Sequence, residues 1–298
     1  MTDRLLAVTG ATGFIGRHLV NSLLTKGHDV CALVRQPQNY KIEGVEAKRA
    51  DIFDAESLEN ALDGVHTAYY LVHSMKNKGR EFAQMDREGA ENFLNAAESS
   101  GVQRIIYLGG LGETGPELSE HLKSRAEVGR ILQSGRIRTT VLRAAIILGP
   151  GSASWEMLRQ LVERLPVMTT PRWVETRCQP IALRDVLGYL VGCAEVDATA
   201  GGTYDIGGPD ILTYRQMMTE VAEILGKHVR IYGIPILSPR LSSYWVDLVT
   251  DVPSSVARPL IDGLRSEVIC RDDRIKSLIP MNLTPFREAV SLALKGTI

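Results

Sequence analysis

The stretch Leu5-Leu6-Ala7-Val8-Thr9-Gly10-Ala11-Thr12-Gly13-Phe14-Ile15-Gly16 decides how the rest of the chain is read. Its apolar run, Leu5 to Val8, carries no charged member, as a central parallel strand covered on both faces requires. Glycines follow at 10, 13 and 16, after which Phe14, Ile15, Leu19, Val20, Leu23 and Leu24 recur at helical spacing up to Gly27. The order is strand, glycine turn, helix. A helix amino terminus gathers unpaired backbone N–H groups and the positive end of the helix dipole, so it attracts phosphate. Glycine at the three positions lets the chain turn tightly, lets backbone approach a diphosphate and lets the helix pack on the strand. Gly10, Thr12, Gly13, Phe14, Ile15 and Gly16 are therefore the expected cradle for a dinucleotide pyrophosphate. A plain tight turn is the alternative, and the flanking strand and helix favour the cradle.

The ends of the next strands extend this site. The second strand, Asp29 to Val34, is followed by Arg35, nineteen positions past Gly16. An acid there would bind a ribose 2′-hydroxyl, whereas arginine suits a 2′-phosphate, which points to NADP rather than NAD. The bland reading is an exposed strand-end arginine. Arg17 either adds charge or solvates the helix surface. Asp51-Ile52 follows a third strand, about Val45 to Ala50, and either frames the adenine or supplies a helix N-cap. Leu71, Val72 and His73 close a fourth strand, Val65 to Val72, and are expected along the cofactor ribose; for His73 an ordinary polar strand end is the alternative.

A long helix from about Gly79 to Ser100, a strand from Gln103 to Leu108, a helix from Ser119 to Gln133 and a β-branched run from Thr139 to Ile147 continue the alternation. Strands separated by helices require right-handed crossovers and a parallel sheet with helices on both faces. The expected fold is α/β, a Rossmann-type doubly wound parallel sheet over residues 1–150. Residues 151–298 form a smaller, loop-rich substrate or lid lobe whose strands have the option of returning to the main sheet. Helices are expected there near Ser154 to Leu165, Leu183 to Cys193, Tyr214 to Leu225 and Phe286 to Leu294. The proline-rich segment Ile234 to Leu264 suits a lid or an oligomer contact, so a homodimer is admitted.

Of 298 residues, 34 are Lys or Arg and 35 Asp or Glu, a net charge of -1 that offers no broad attraction to nucleic acid or an anionic membrane. A small-molecule ligand is the expected partner. Cys31, Cys178, Cys193 and Cys270 form no Cys-x-x-Cys pair, and no metal spacing appears among the six histidines. The expected compartment is reducing and cytoplasmic. The Leu5 to Val8 run is too short for a signal-peptide core, and no uncharged stretch approaches the roughly twenty apolar residues of a membrane-spanning helix. No nucleophile elbow of a hydrolase is present.

Three segments carry a family resemblance: the glycine loop, Ile181-Ala182-Leu183-Arg184-Asp185-Val186, and Tyr204-Asp205-Ile206-Gly207-Gly208. With them the chain resembles the atypical and extended short-chain dehydrogenases, in particular the NmrA-like, nucleoside-diphosphate-sugar-epimerase-like NAD(P)H-binding proteins. Tyr70-Leu71-Val72-His73-Ser74-Met75, Gly151 to Glu156, and the run from Leu165-Pro166-Val167-Met168 to Gln179-Pro180-Ile181-Ala182 are similar to segments of that group. The resemblance implies a hydride-transfer site built from Tyr-x-x-x-Lys and an upstream Ser or Thr. The matching stretch here, Ser119-Glu120-His121-Leu122-Lys123-Ser124-Arg125, contains no tyrosine, and Tyr107-Leu108-Gly109-Gly110-Leu111-Gly112 has glycines where the serine would sit.

Aligning Ser124-Arg125 with the family's Ser-Lys puts His121 at the tyrosine position and Arg125 at the lysine position; a shift of two residues gives Ser119 and Lys123 instead. Either pair shares a helix face. His121 is the expected proton donor, its pKa pushed down by the neighbouring guanidinium. Arg125 is expected on cofactor ribose hydroxyls, and the alternative is a solvated charged face. Trp155, Met157, Leu158, Leu161 and Val162 read either as an apolar pocket wall or as an amphipathic core helix. Arg172, Arg177 and Arg184 either meet a diphosphate or pair with local acids. The leading expectation is an NADP-dependent oxidoreductase on a small carbonyl or quinone-like substrate. A non-catalytic NADP sensor or scaffold and a nucleotide-sugar epimerase are the alternatives.

Overall fold

The computed structural model describes residues 4–73, 80–112, 119–170, 172–233 and 250–298. Of the segments discussed above, Ser74, Met75, Gly79, Pro171, the Arg172 side chain and residues 234–249 of the proline-rich stretch lie outside this set. The first half alternates as β1 (Leu6–Thr9), α1 (Phe14–Thr25), β2 (Val30–Val34), β3 (Glu46–Arg49), α2 (Ala55–Leu62), β4 (Thr67–Tyr70), α3 (Arg80–Ser99), β5 (Arg104–Gly110), α4 (Glu120–Ser134) and β6 (Arg138–Ala144).

The second half contains β7 (Ile147–Leu148), α5 (Ala153–Arg164), β8 (Val167–Thr170), β9 (Arg177–Cys178), β10 (Ile181–Ala182), α6 (Leu183–Glu195) and β11 (Thr203–Ile206). It continues with β12 (Leu212–Thr213), α7 (Tyr214–Ile224), β13 (Arg230–Gly233), α8 (Ser254–Gly263), α9 (Arg274–Leu278) and α10 (Phe286–Leu294).

Seven strands form one parallel sheet in the order β11-β6-β5-β4-β1-β2-β3. Winding outward both ways from β1 leaves a switch point between β1 and β4, where open α/β sheets place ligands beyond the carboxyl ends of the strands. Every residue of β1 is buried, which is why the run could dispense with polar members. On one face, Leu19, Val20 and Leu23 of α1 pack with Leu183, Val186 and Leu190 of α6 against Leu6 and Val8. The other face is covered by α2, α3 and α4 through Leu58, Phe93, Val128 and Leu132. A separate core gathers Trp155, Leu158 and Leu161 of α5 with Met217, Val221, Ile261 and Phe286 beneath the later loops.

Two differences from the sequence reading have physical causes. The run Thr139 to Ile147 is two strands, because the chain leaves the sheet after Ala144 and β7 pairs with β10 instead. The helix that Asp51-Ile52 was one option to cap is α2; it has only two turns and is started by Asp54 instead, whose carboxylate accepts from Ser57 N–H. The chain beyond residue 150 supplies β11 to the main sheet beside β6 and α6 to its face. No described helix is long and apolar enough to cross a membrane.

Candidate functional site

At the switch point, Gly10 adopts φ of 63°, and a Cβ there would sit 2.8 Å from the Leu71 carbonyl oxygen. The left-handed conformation and the contact with the end of β4 both require glycine. Gly10 O accepts the Gly13 N–H at 2.8 Å, closing the turn, and a Cβ on Gly16 would lie 2.2 Å from Gly10 O. Gly16 is thus what lets α1 start directly on the loop. Gly13, as N-cap, offers no side chain to the first helical amides, and the first turn carries no acid. Helix α1 therefore begins with uncapped donors and the positive end of its dipole facing the crevice, the arrangement a diphosphate satisfies.

Around this loop lies a cavity of about 490 Å³ with Gly10, Thr12, Gly13, Arg35, Asp51, Ile52, Leu71, Val72 and His73 in its walls. Phe14 and Ile15 stand in the first turn of α1, and Ile15 lines the neighbouring cavity instead. The buried Thr9 hydroxyl donates to Tyr69 O at 2.9 Å and accepts from Leu71 N–H at 3.0 Å, which fixes the floor between β1 and β4. Arg35 is exposed at the mouth and has no ion pair among the described residues. Asp51 accepts from Phe53 N–H through Oδ1 at 3.1 Å, so it shapes the turn before α2, and the N-cap is Asp54. Phe53, 43% exposed, stands at this end of the crevice. The sequence reading passed over it, and a polar loop with one large apolar residue was the available signal.

The second cavity, about 250 Å³ and mostly apolar, opens beyond β5 and β6. His73 lines both cavities, so they meet there. His121 and Arg125 also line the second cavity. Ser119 caps α4 by accepting from Leu122 N–H, and the buried Ser124 hydroxyl donates to Asp86 at 3.0 Å, tying α4 to α3. Where the family's serine is missing, Gly110 makes room for Leu122, whose Cδ2 would lie 2.8 Å from a Cβ at that glycine.

Arg125 is buried, donates to Leu108 O at 3.3 Å and lies 5.4 Å from the centre of the Tyr107 ring, while the Tyr107 hydroxyl donates to Arg125 O. Its guanidinium is thus engaged with the end of β5 and with the Tyr107 ring at the edge of the cavity. Half-buried His121 has its pKa pushed down to about 4 by burial, with the Arg125 and His73 charges adding to the effect against Asp86. Imidazole there is neutral at physiological pH. Lys123 faces outward in an ion pair with Glu120 at 3.0 Å and does not line the cavity.

Among the substrate-side residues, Trp155, Leu158, Leu161 and Val162 lie in the second core, and Met157 also reaches the cavity. Arg177 pairs with Glu267 at 2.7 Å and Arg184 with Glu288 at 3.4 Å. Asp205, in the Tyr204 to Gly208 segment, is buried; it accepts from Arg143 and from the Arg271 and Asp272 amides, so that segment braces a loop beside the cavity.

The family described as NAD(P)H-binding matches residues 10–150, the span that runs from the glycine loop to the end of β7 and its following turn. Among curated relatives, subunit 9 of the NADH dehydrogenase [ubiquinone] 1 alpha subcomplex, mitochondrial, from Arabidopsis thaliana is 24% identical over 93% of this chain and 74% of its own length. A ceramide reductase from Caulobacter vibrioides is 27% identical over 84% of this chain and 80% of its own. In fold, the chain is similar to an NADPH-dependent quinone oxidoreductase from Escherichia coli, solved with NADPH, at a TM-score of 0.76 and 22% identity over 96% and 98% of the two chains.

Proposed function

We propose that the protein is an NADPH-dependent reductase of a small, largely apolar carbonyl or quinone-like acceptor. The observation that carries this reading is the meeting of two cavities at His73. One has an uncapped helix start in its wall, and the other is apolar with a neutral imidazole in its wall. In this reading the amides opening α1 hold the pyrophosphate and Arg35 the 2′-phosphate. Asp51, Ile52 and Phe53 border the adenine, and Leu71, Val72 and His73 run beside the ribose toward the second cavity. A bound nicotinamide coenzyme supplies hydride chemistry. The apolar cavity selects acceptors that tolerate leaving water.

His121 acts here as a neutral hydrogen-bond donor to the acceptor oxygen, because an imidazole with a pKa of about 4 carries no dischargeable proton at pH 7. The proton that completes reduction comes from water at the open mouth. Arg125 is a positioning residue: it anchors α4 to the end of β5, and its charge adds to burial in keeping His121 neutral. The reading is tested by NADPH oxidation against a panel of carbonyls and quinones. At least one acceptor is turned over, and His121→Ala lowers its kcat/KM by about tenfold or more. A protein that binds NADPH and reduces none of the panel refutes catalysis.

That outcome would favour a second reading, an NADP-binding sensor or scaffold. Two observations support it: the tyrosine-free start of α4, and the commitment of the Arg125 guanidinium to Leu108 O and the Tyr107 ring.

A further inference from the structure

Gly109, Gly110 and Gly263 stand in the wall of the second cavity, and the first two answer to packing. A Cβ at Gly109 would lie 2.9 Å from the Tyr107 ring, and one at Gly110 would lie 2.8 Å from Leu122. Gly263, in the last turn of α8, is different. Its φ lies outside the left-handed region, so the backbone there accepts any residue. Beyond its own stretch of chain, a Cβ at 263 would have Ser119 Oγ, 3.8 Å away, as its only described neighbour within 4 Å, an ordinary van der Waals separation. Glycine in a helix costs stability relative to alanine, and neither strain nor crowding at this position offsets that cost. Leu260, Gly263 and Leu264 follow the i, i+3, i+4 spacing of one helix face, and all three line the cavity, so position 263 faces inward. His121 and Leu122 of α4 line the same cavity. The missing side chain keeps it open between α8 and the start of α4.

We propose that Gly263 sets which acceptors fit, the room it leaves taking the second ring of a flat, fused two-ring quinone or carbonyl. The proposal rests on the reductase reading for the place of the reacting oxygen at His121, and it adds the size and shape of the acceptor. An apolar cavity of about 150 Å³ holds one benzene ring. The cavity here measures about 250 Å³, so a single ring leaves it part-empty and a fused pair fills it. A leucine side chain has four carbons, as many as the second ring adds to the first, and at 263 it would project from the face that carries Leu260 and Leu264.

The test is NADPH-dependent turnover of 1,4-benzoquinone and 1,4-naphthoquinone by the full chain, native and with Gly263→Leu. The two quinones differ in intrinsic reactivity, so the reading is the naphthoquinone-to-benzoquinone ratio of kcat/KM and its change between proteins. Gly263→Leu should lower that ratio by about tenfold or more, with benzoquinone within about threefold of native and the Kd for NADPH unchanged. Gly263→Ala, which serves if the leucine variant does not fold, should lower the ratio about threefold and raise Tm by about 1–2 °C. An unchanged ratio or an equal loss for both quinones overturns the proposal. So does a lower Tm in Gly263→Ala, which would show that packing requires the glycine. Phenol and 1-naphthol, unreactive rings of the same two sizes, are titrated calorimetrically into NADP⁺-loaded protein as a reading without turnover. The native chain should bind naphthol about tenfold tighter or more, and Gly263→Leu should lose that preference. Equal native affinities, or a preference kept in Gly263→Leu, also overturn the proposal. A chain that reduces neither quinone yet shows the expected binding pattern refutes the reductase reading alone.

Discussion

Replacing Gly16 with alanine puts a methyl group where three backbone atoms already stand: Gly10 O at 2.2 Å, and Ala11 Cα and Gly10 C each at 2.8 Å. No side-chain rotation relieves contacts of this kind, so either the loop or the first turn of α1 must move by about 1 Å to reach ordinary separation, and a misplacement of that size is worth about 100-fold at a site that depends on aligned donors. The amides displaced are those proposed to hold the pyrophosphate, and losing one charge-assisted hydrogen bond, about 1.5–3 kcal/mol, already weakens binding by about 10- to 150-fold. Gly16→Ala should therefore raise the Kd for NADPH by about 100-fold. Calorimetric titration reads this directly, with thermal unfolding alongside. Gly44→Ala is the control: its φ of 77° imposes backbone strain of about 1 kcal/mol, yet nothing lies within 4 Å of the added Cβ and Gly44 does not line the crevice. It should lower Tm and leave Kd unchanged. A Gly16→Ala protein that binds NADPH within about threefold of the native chain would refute the placement of the diphosphate on α1.

Three further outcomes are expected. Arg35→Asp should weaken NADPH by about 10- to 100-fold and strengthen NADH, since a carboxylate repels a 2′-phosphate and accepts from a 2′-hydroxyl; unchanged relative affinities would remove Arg35 from the site. Because the folded pKa of His121 is about 4 against the ordinary 6.5, the unfolded chain binds more protons between those values, so stability is full above pH 6.5 and falls as pH drops toward 4. The loss reaches at most about 3 kcal/mol, and His121→Gln should flatten that part of the urea-denaturation profile; an identical slope in the variant would deny the burial of that imidazole. Asp205→Asn should cost about 1–3 kcal/mol in urea unfolding, because the buried carboxylate makes charge-assisted hydrogen bonds with the part-exposed Arg143 and with two amides of the loop at Arg271 and Asp272; a loss under about 0.5 kcal/mol would show the loop held by other contacts.

What could be read from the chain and what could not divides along the range of the interactions. The β1–loop–α1 unit was legible because its signals are local: an uncharged run, three glycines at fixed spacing, and an apolar stripe on one helix. Strand β11 was harder, since Thr203 to Ile206 is four residues long and its partner β6 lies about sixty residues earlier in the chain. The same holds for the approach of His73 to His121, which comes from the adjacency of β4, β5 and α4 and has no signature in either neighbourhood. The role of Arg125 turned on Tyr107, whose ring receives its guanidinium; spacing alone could only put Arg125 on the same helix face as His121. For Arg177 and Arg184 the sequence left diphosphate and local acids equally open, and Glu267 and Glu288 took them.

The central claim is that the amides opening α1 grip the diphosphate of a phosphorylated nicotinamide coenzyme. A calorimetric titration of the native chain with NADPH and, separately, NADH tests it most directly. The account predicts a one-to-one complex with NADPH, at least about tenfold tighter than with NADH. Folded protein that takes up neither coenzyme at millimolar concentration, about the weakest binding such a titration resolves, would contradict it.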